Sequence, residues 1–244
     1  MKRLFVFAFI DNDSFLKYHI NSLKSILFPN IDEKYLIILS HKKYSFKINS
    51  NVYNVQIPKL QHNISEISKF QYIEFALNHL DIHYMNDDLV LVLNENMCCL
   101  NRPLSIWDEL YDIICNNDFV FSPYINQPTT LEENFDMCNK YNEKDKIFAG
   151  YYEVKMDSLN LNTNIIFSNI KSILMLKNDI LELLNKDIKD NNHFPLFNEK
   201  TYINKIVNEN EDKYNIYVDY LYGKLENLDK QIEEYQSIIY YEKD

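Results

Sequence analysis

Short apolar runs alternate along the chain with longer stretches whose apolar residues recur every three or four positions. Leu89 to Leu93 has the length and continuous apolarity of a strand buried on both faces, and Leu4 to Ile10, Tyr35 to Leu39 and Val52 to Ile57 read as further strands. Between the first two, Ser14 to Phe28 spaces Leu16, Ile20, Leu23 and Leu27 as one face of a helix. Ile67 to Leu80 does the same with Phe70, Ile73, Leu77 and Leu80. Strand and helix alternate in units of about 25 to 35 residues, which predicts a mostly parallel central sheet flanked by helices, an α/β fold.

The second half is less regular. Helices are expected at Trp107 to Cys115, Ile170 to Leu184, Lys200 to Val207 and, last, Gln231 to Tyr241. Strands are expected at Phe119 to Ser122, Asn164 to Phe167 and Tyr214 to Val218. The polar stretch from Asn126 to Ile147 lacks periodicity and reads as a functional or mobile loop. No repeat and no compositional break marks a linker, so residues 1–244 read as a single domain.

Composition narrows the functional classes. With only two glycines, Gly150 and Gly223, neither the Gly-x-Gly-x-x-Gly dinucleotide turn nor a Walker A loop can be built. A formal net charge of −11 argues against nucleic acid as a partner. His41-Lys42-Lys43 is a short basic run of the kind found on solvated loops. No stretch reaches the roughly 18 to 20 apolar residues of a membrane span. Met1-Lys2-Arg3 before Leu4 to Ile10 has the outline of a signal peptide, but Asp11-Asn12-Asp13 stands where small cleavage-site residues belong. The run therefore reads as a first strand and the protein as cytoplasmic, with peripheral attachment at the inner membrane face compatible with a local surface patch. Cys98, Cys99, Cys115 and Cys138 lack metal-site spacing and read as buried, reduced thiols; Trp107 reads as core.

The chemistry concentrates where the strand Leu89 to Leu93 runs into Asn94-Glu95-Asn96. Open α/β sheets hold ligands at the carboxyl ends of their strands. Amides are poor ligands for a hard divalent cation but good partners for sugar hydroxyls and phosphate oxygens. Glu95 alone makes a weak metal site. The unadorned alternative is a turn between two core strands.

Four segments in order resemble retaining glycosyltransferases of the GT-A fold, closest to family 6, the blood-group-type galactosyl and N-acetylgalactosaminyl transferases and their bacterial relatives. Val6-Phe7-Ala8-Phe9 with Phe15-Leu16-Lys17 looks like the family's opening strand and helix. Ser68-Lys69-Phe70 stands at its basic-Phe step, and Leu91 to Met97 at the strand leading into its Asp-x-Asp position, where some bacterial members carry Asn-x-Asn. Asn198-Glu199-Lys200-Thr201 through Asn204-Lys205 resembles its His-Asp-Glu-Ser helix start, and Tyr220-Leu221-Tyr222 its late Tyr-Leu step. Family 8 is a close competitor through Leu161 to Asn169, which is similar to its Phe-Asn-Ser-Gly run ending in Asn.

The resemblance implies transfer of a hexose or N-acetylhexosamine from a UDP-sugar to a saccharide acceptor, lipid-linked acceptors being common in the class. It implies that Phe7, Ala8 and Phe9 line the uridine and that Asn94, Glu95, Asn96, Asn162 and Asn164 meet the donor. It also implies that Asn198 stands at an acceptor-binding position and that Glu199 is the catalytic carboxylate. Aligning the Asn204-Lys205 ending without a gap puts Lys200 at the catalytic Glu; a one-residue slip restores Glu199. Without carboxylates flanking Glu95, no divalent metal is expected, and Lys69 and Lys224 become the candidates for stabilising the departing diphosphate. The alternative is a decayed transferase fold that binds a sugar or nucleotide without turnover.

Overall fold

The computed structural model describes residues 2–10, 13, 16–44, 51–58, 69–94, 97–99, 103–123, 161–191, 199–210, 212–218 and 239–241. Nine strands and five helices occur among them. The strands are β1 (Lys2–Phe9), β2 (Ile31–Ser40), β3 (Val52–Gln56), β4 (Leu89–Leu93), β5 (Met97–Cys99), β6 (Phe119–Pro123), β7 (Leu161–Asn169), β8 (Ile216–Val218) and β9 (Ile239–Tyr241). The helices are α1 (Leu16–Ser25), α2 (Lys69–His79), α3 (Leu104–Asn116), α4 (Ile170–Asn191) and α5 (Glu199–Glu209).

Seven strands form one sheet in the order β3-β2-β1-β4-β7-β6-β8. β1 pairs in parallel with β2 and β4, β2 with β3, and β6 with β8. β7 is antiparallel to both its neighbours, so it alone runs against the other six. The mostly parallel α/β architecture expected from the sequence is therefore present, with one reversed strand that periodicity cannot reveal.

β1 lies at the centre because both its faces are apolar. Phe5, Phe7 and Phe9 face one layer with Val90 and Val92, against Phe70, Ile73 and Leu77 of α2, Ile173 and Leu176 of α4, and Ile203 and Ile206 of α5. Leu4, Val6, Ala8 and Ile10 face the other, against Trp107, Leu110 and Ile114 of α3. Alternate side chains of one strand thus feed two cores. Each buried Phe or Leu contributes about 1.5–3 kcal/mol from burial. Trp107 is core, as expected.

A chain with two glycines must find its left-handed turns elsewhere. Asn30, just before β2, has φ 56° and Asp81, just after α2, has φ 49°. After glycine, Asn and Asp are the residues that tolerate this region at least cost.

Four sequence expectations need correction. The expected terminal helix from Gln231 to Tyr241 is instead a strand at Ile239–Tyr241, which pairs antiparallel with β5. Leu27 is exposed rather than core, because α1 ends at Ser25 and the following Ile26 and Phe28 turn inward. Cys115 is exposed on the last turn of α3, whereas Cys99 is buried. Tyr214 precedes β8 rather than opening it; it is buried against Phe119, and its hydroxyl donates to Asp179 at 2.7 Å. The stretch Asn126 to Ile147 and both glycines lie outside the described residues.

Candidate functional site

The strand order fixes where a ligand can enter. From β1 the chain steps outward to β2 and β3, then returns through α2 to place β4 on the other side of β1. The order reverses between β1 and β4, and the crevice at the carboxyl ends of such a pair is the general ligand position of open α/β sheets. Ala8 of β1 stands beside Leu93 of β4 at this edge, so Phe9 and Asn94 are the residues that emerge there.

Because β7 is reversed, it brings its first residues, not its last, to the same edge. The ladder continues one step past Leu93 and Ile165: the Asn94 backbone N–H donates to the Asn164 carbonyl at 3.0 Å. The side chains are joined as well. The Lys69 ammonium donates to Asn94 Oδ1 at 2.9 Å, and Asn94 Nδ2 donates to Asn164 Oδ1. Lysine offers only donors, so Asn94 must turn its oxygen toward Lys69 and its nitrogen toward Asn164. Lys69 Nζ also lies 5.8 Å from the centre of the Phe9 ring, within cation–π range.

Lys69 is the first residue of α2, and its bond to Asn94 puts that helix N-terminus at the carboxyl edge. The positive end of the helix dipole and the Lys69 charge therefore add at one place. In a chain of net charge −11, Lys69 thus sets a positive charge against the linked side-chain amides of Asn94 and Asn164.

The sequence candidates divide as follows. Phe7 and Ala8 are wholly buried, on opposite faces of β1, and contribute to the two cores. Phe9, Lys69, Asn94 and Asn164 are brought together. Asn162 lies on β7 two residues nearer its start, and Glu199 opens α5. Glu95, Asn96, Asn198 and Lys224 lie outside the described residues.

Sequence reasoning missed a second polar group at the carboxyl ends of β1 and β2. Asp13 accepts from Lys42 Nζ and from the Tyr44 hydroxyl, both at 2.9 Å. Those two bonds hold the Asp13 carboxyl below its ordinary range. Asn54 of β3 accepts from the Tyr44 backbone N–H at 2.8 Å. The available signal was Asp11-Asn12-Asp13 directly after an apolar strand; Lys42 was read as part of a solvated loop.

Among the described residues, no group of three or more His, Cys, Asp or Glu side chains converges. A cleft of about 190 Å³ opens at the opposite sheet edge, lined by Lys2, Asn86, Cys115, Asp118 and Lys171 among others. There Lys2 Nζ donates to Cys115 Sγ at 3.4 Å and Asp118 accepts from Ser172 at 2.5 Å, so those groups are engaged with their neighbours. Among the described residues, no helix is long and apolar enough to cross a membrane. No protein-family model matches the chain, and no curated protein matches it.

Proposed function

We propose that the chain is a GT-A-type glycosyltransferase that moves a hexose or N-acetylhexosamine, of galactose or N-acetylgalactosamine type, from a UDP-sugar to a saccharide acceptor with retention. The observation that carries the reading is the Lys69–Asn94–Asn164 chain at the β1/β4 reversal. It joins, at one edge, residues that resemble two separate transferase patterns: Lys69 and Asn94 with family 6, and Asn164 with family 8. Retention and sugar type rest on the family 6 resemblance.

Glycosyl transfer leaves a diphosphate, and the charge developing on it must be met by fixed positive groups. In this reading Lys69 and the α2 N-terminus meet it, with Lys224 as a second cation, while Asn94, Asn96, Asn162 and Asn164 bond sugar or phosphate oxygens. Glu199 supplies the carboxylate that supports positive charge at the reacting carbon or attacks it. The divalent cation used by many such enzymes is not part of this reading. Asn94 Oδ1 faces the Lys69 ammonium, and a metal ion on that oxygen would stand against a like charge. No step is therefore assigned to a metal.

The test is donor hydrolysis by purified, folded protein with UDP-galactose, UDP-N-acetylgalactosamine, UDP-glucose and UDP-N-acetylglucosamine, each in EDTA and in Mn²⁺. Slow UDP release from one donor, unchanged by EDTA, is the expected result. Binding of UDP without release from any donor, and with Glu199→Gln unchanged, would favour the decayed binder. Neither binding nor release would end the uridine reading.

A further inference from the structure

The proposed catalytic carboxylate and the polar start of β7 sit on different elements, and one buried side chain connects those elements. Asn204 is a mid-helix polar residue on α5, only 3% exposed, surrounded in sequence by the buried Tyr202, Ile203, Ile206 and Val207. Its Oδ1 accepts the backbone N–H of Leu161, the first residue of β7, at 2.8 Å, and the bond is buried. Burying an amide inside a helix face is costly unless it is satisfied, so this bond sets how α5 lies against β7.

The topology gives the joint its meaning. Leu161 pairs with Pro123 at the carboxyl end of β6, on the candidate-site edge. At the other edge, the Asp118 backbone N–H donates to the Asn215 carbonyl at 2.8 Å, just after α5 and its following turn. α5 therefore runs away from the site edge, and Glu199, five residues before Asn204, begins at it. Asn162 and Asn164 follow Leu161 by one and three residues.

We infer that Asn204 is a positioning residue that holds Glu199 and the Asn162–Asn164 step in one frame by tying α5 to the start of β7. The inference rests on the transferase reading for what is positioned, but the joint itself can be read independently. Asn204 touches neither donor nor acceptor in this account. Its loss should reduce turnover while leaving the nucleotide contacts at Lys69 and Asn94 in place.

The experiment compares the full chain with Asn204→Leu, which fills the space without an acceptor, and Asn204→Asp, which keeps an oxygen in the same place. Asn204→Ala serves if the leucine variant does not fold. Three quantities are measured: kcat for donor hydrolysis, the Kd for UDP, and exchange of the Leu161 amide. Asn204→Leu is expected to lower kcat at least tenfold, keep the UDP Kd within threefold, and speed exchange at Leu161. Asn204→Asp is expected to bring all three back to within threefold of the parent. An unchanged kcat in Asn204→Leu, a parallel loss of UDP affinity, an equally protected Leu161 amide, or no rescue by Asp would each overturn the role. A parent chain that turns over no donor removes the transferase reading and the positioning role together. A parent that turns over beside an unimpaired Asn204→Leu removes the positioning role alone.

Discussion

Replacing Lys69 by Met is the most direct challenge to the cationic edge. The change removes one positive charge and the donor to Asn94 Oδ1, which lies 2.9 Å away. Two consequences compete. For stability, the lost bond is part-buried and water can reach Asn94, so the cost is about 1 kcal/mol. For a bound diphosphate, an ammonium about 4 Å from a phosphate charge in a medium of effective dielectric about 20 gains about 4 kcal/mol. Solvent and counterions at a half-exposed edge remove roughly half of this. About 2 kcal/mol remains, which is about thirtyfold in Kd. Binding should therefore fall about twice as far, in free energy, as stability. Isothermal titration of UDP at low and high salt measures the first, and thermal unfolding the second. Lys69→Arg, which keeps the charge, should retain most of the affinity, and Lys69→Gln, which keeps only a donor, should resemble Met. If Lys69→Met binds UDP within threefold of the parent, or Lys69→Arg is as weak as Met, the charge at this edge is not what holds a diphosphate.

Two further outcomes follow from groups away from that edge. Asp88 is wholly buried, accepts the backbone N–H groups of Arg3 at 2.9 Å and Met85 at 2.7 Å, and lies 3.6 Å from the Arg3 guanidinium. Asp88→Ala strands those donors beside the start of β4 and should cost about 3–5 kcal/mol in urea unfolding, whereas a loss below about 1 kcal/mol would show that the bonds are replaceable. Burial, then the hydrogen bond to Glu33, pushes the Tyr35 phenol from 10.0 up to about 12. The raised folded value means that this contribution is complete below about pH 10 and is lost as pH rises toward 12; the melting temperature should fall over that window, and less steeply in Tyr35→Phe.

How much of this was legible in the sequence depends on what each element buries. β1 and β4 were plain because burial on both faces leaves an unbroken apolar run, and α2 because its apolar face repeats with the helical period. Periodicity carries no sign, however, so it could place the strand around Asn164 but not its reversed direction. That is why Asn94, read from the end of its strand and the family 6 resemblance, and Asn164, read from the family 8 resemblance, were identified separately, and their side-chain contact was not foreseen. Ile239–Tyr241 was misread for a related reason. Its β-branched and aromatic residues suit a strand, but the partner that decides the matter, Met97–Cys99, lies far away in sequence. Asn204 entered the sequence reading only as part of an ending motif; a polar residue amid a buried helical stripe was the available clue to its structural work.

The reversed strand also sets when the edge can come into being. Lys69 and Asn94 are 25 residues apart, but Asn94 and Asn164 are separated by 70. Contacts between distant residues must first meet the entropy of closing the intervening chain, and they make folding slower. As the chain is synthesised, β1, β2, β3, α2 and β4 are all complete before any residue of β7 exists. Until then the side of β4 away from β1 lacks the partner that the finished sheet gives it, and open strand edges draw stray strands in a partly folded chain. The polar chain at the carboxyl edge is closed only when β7 docks, so the same pairing that finishes the candidate site also covers the open edge of β4.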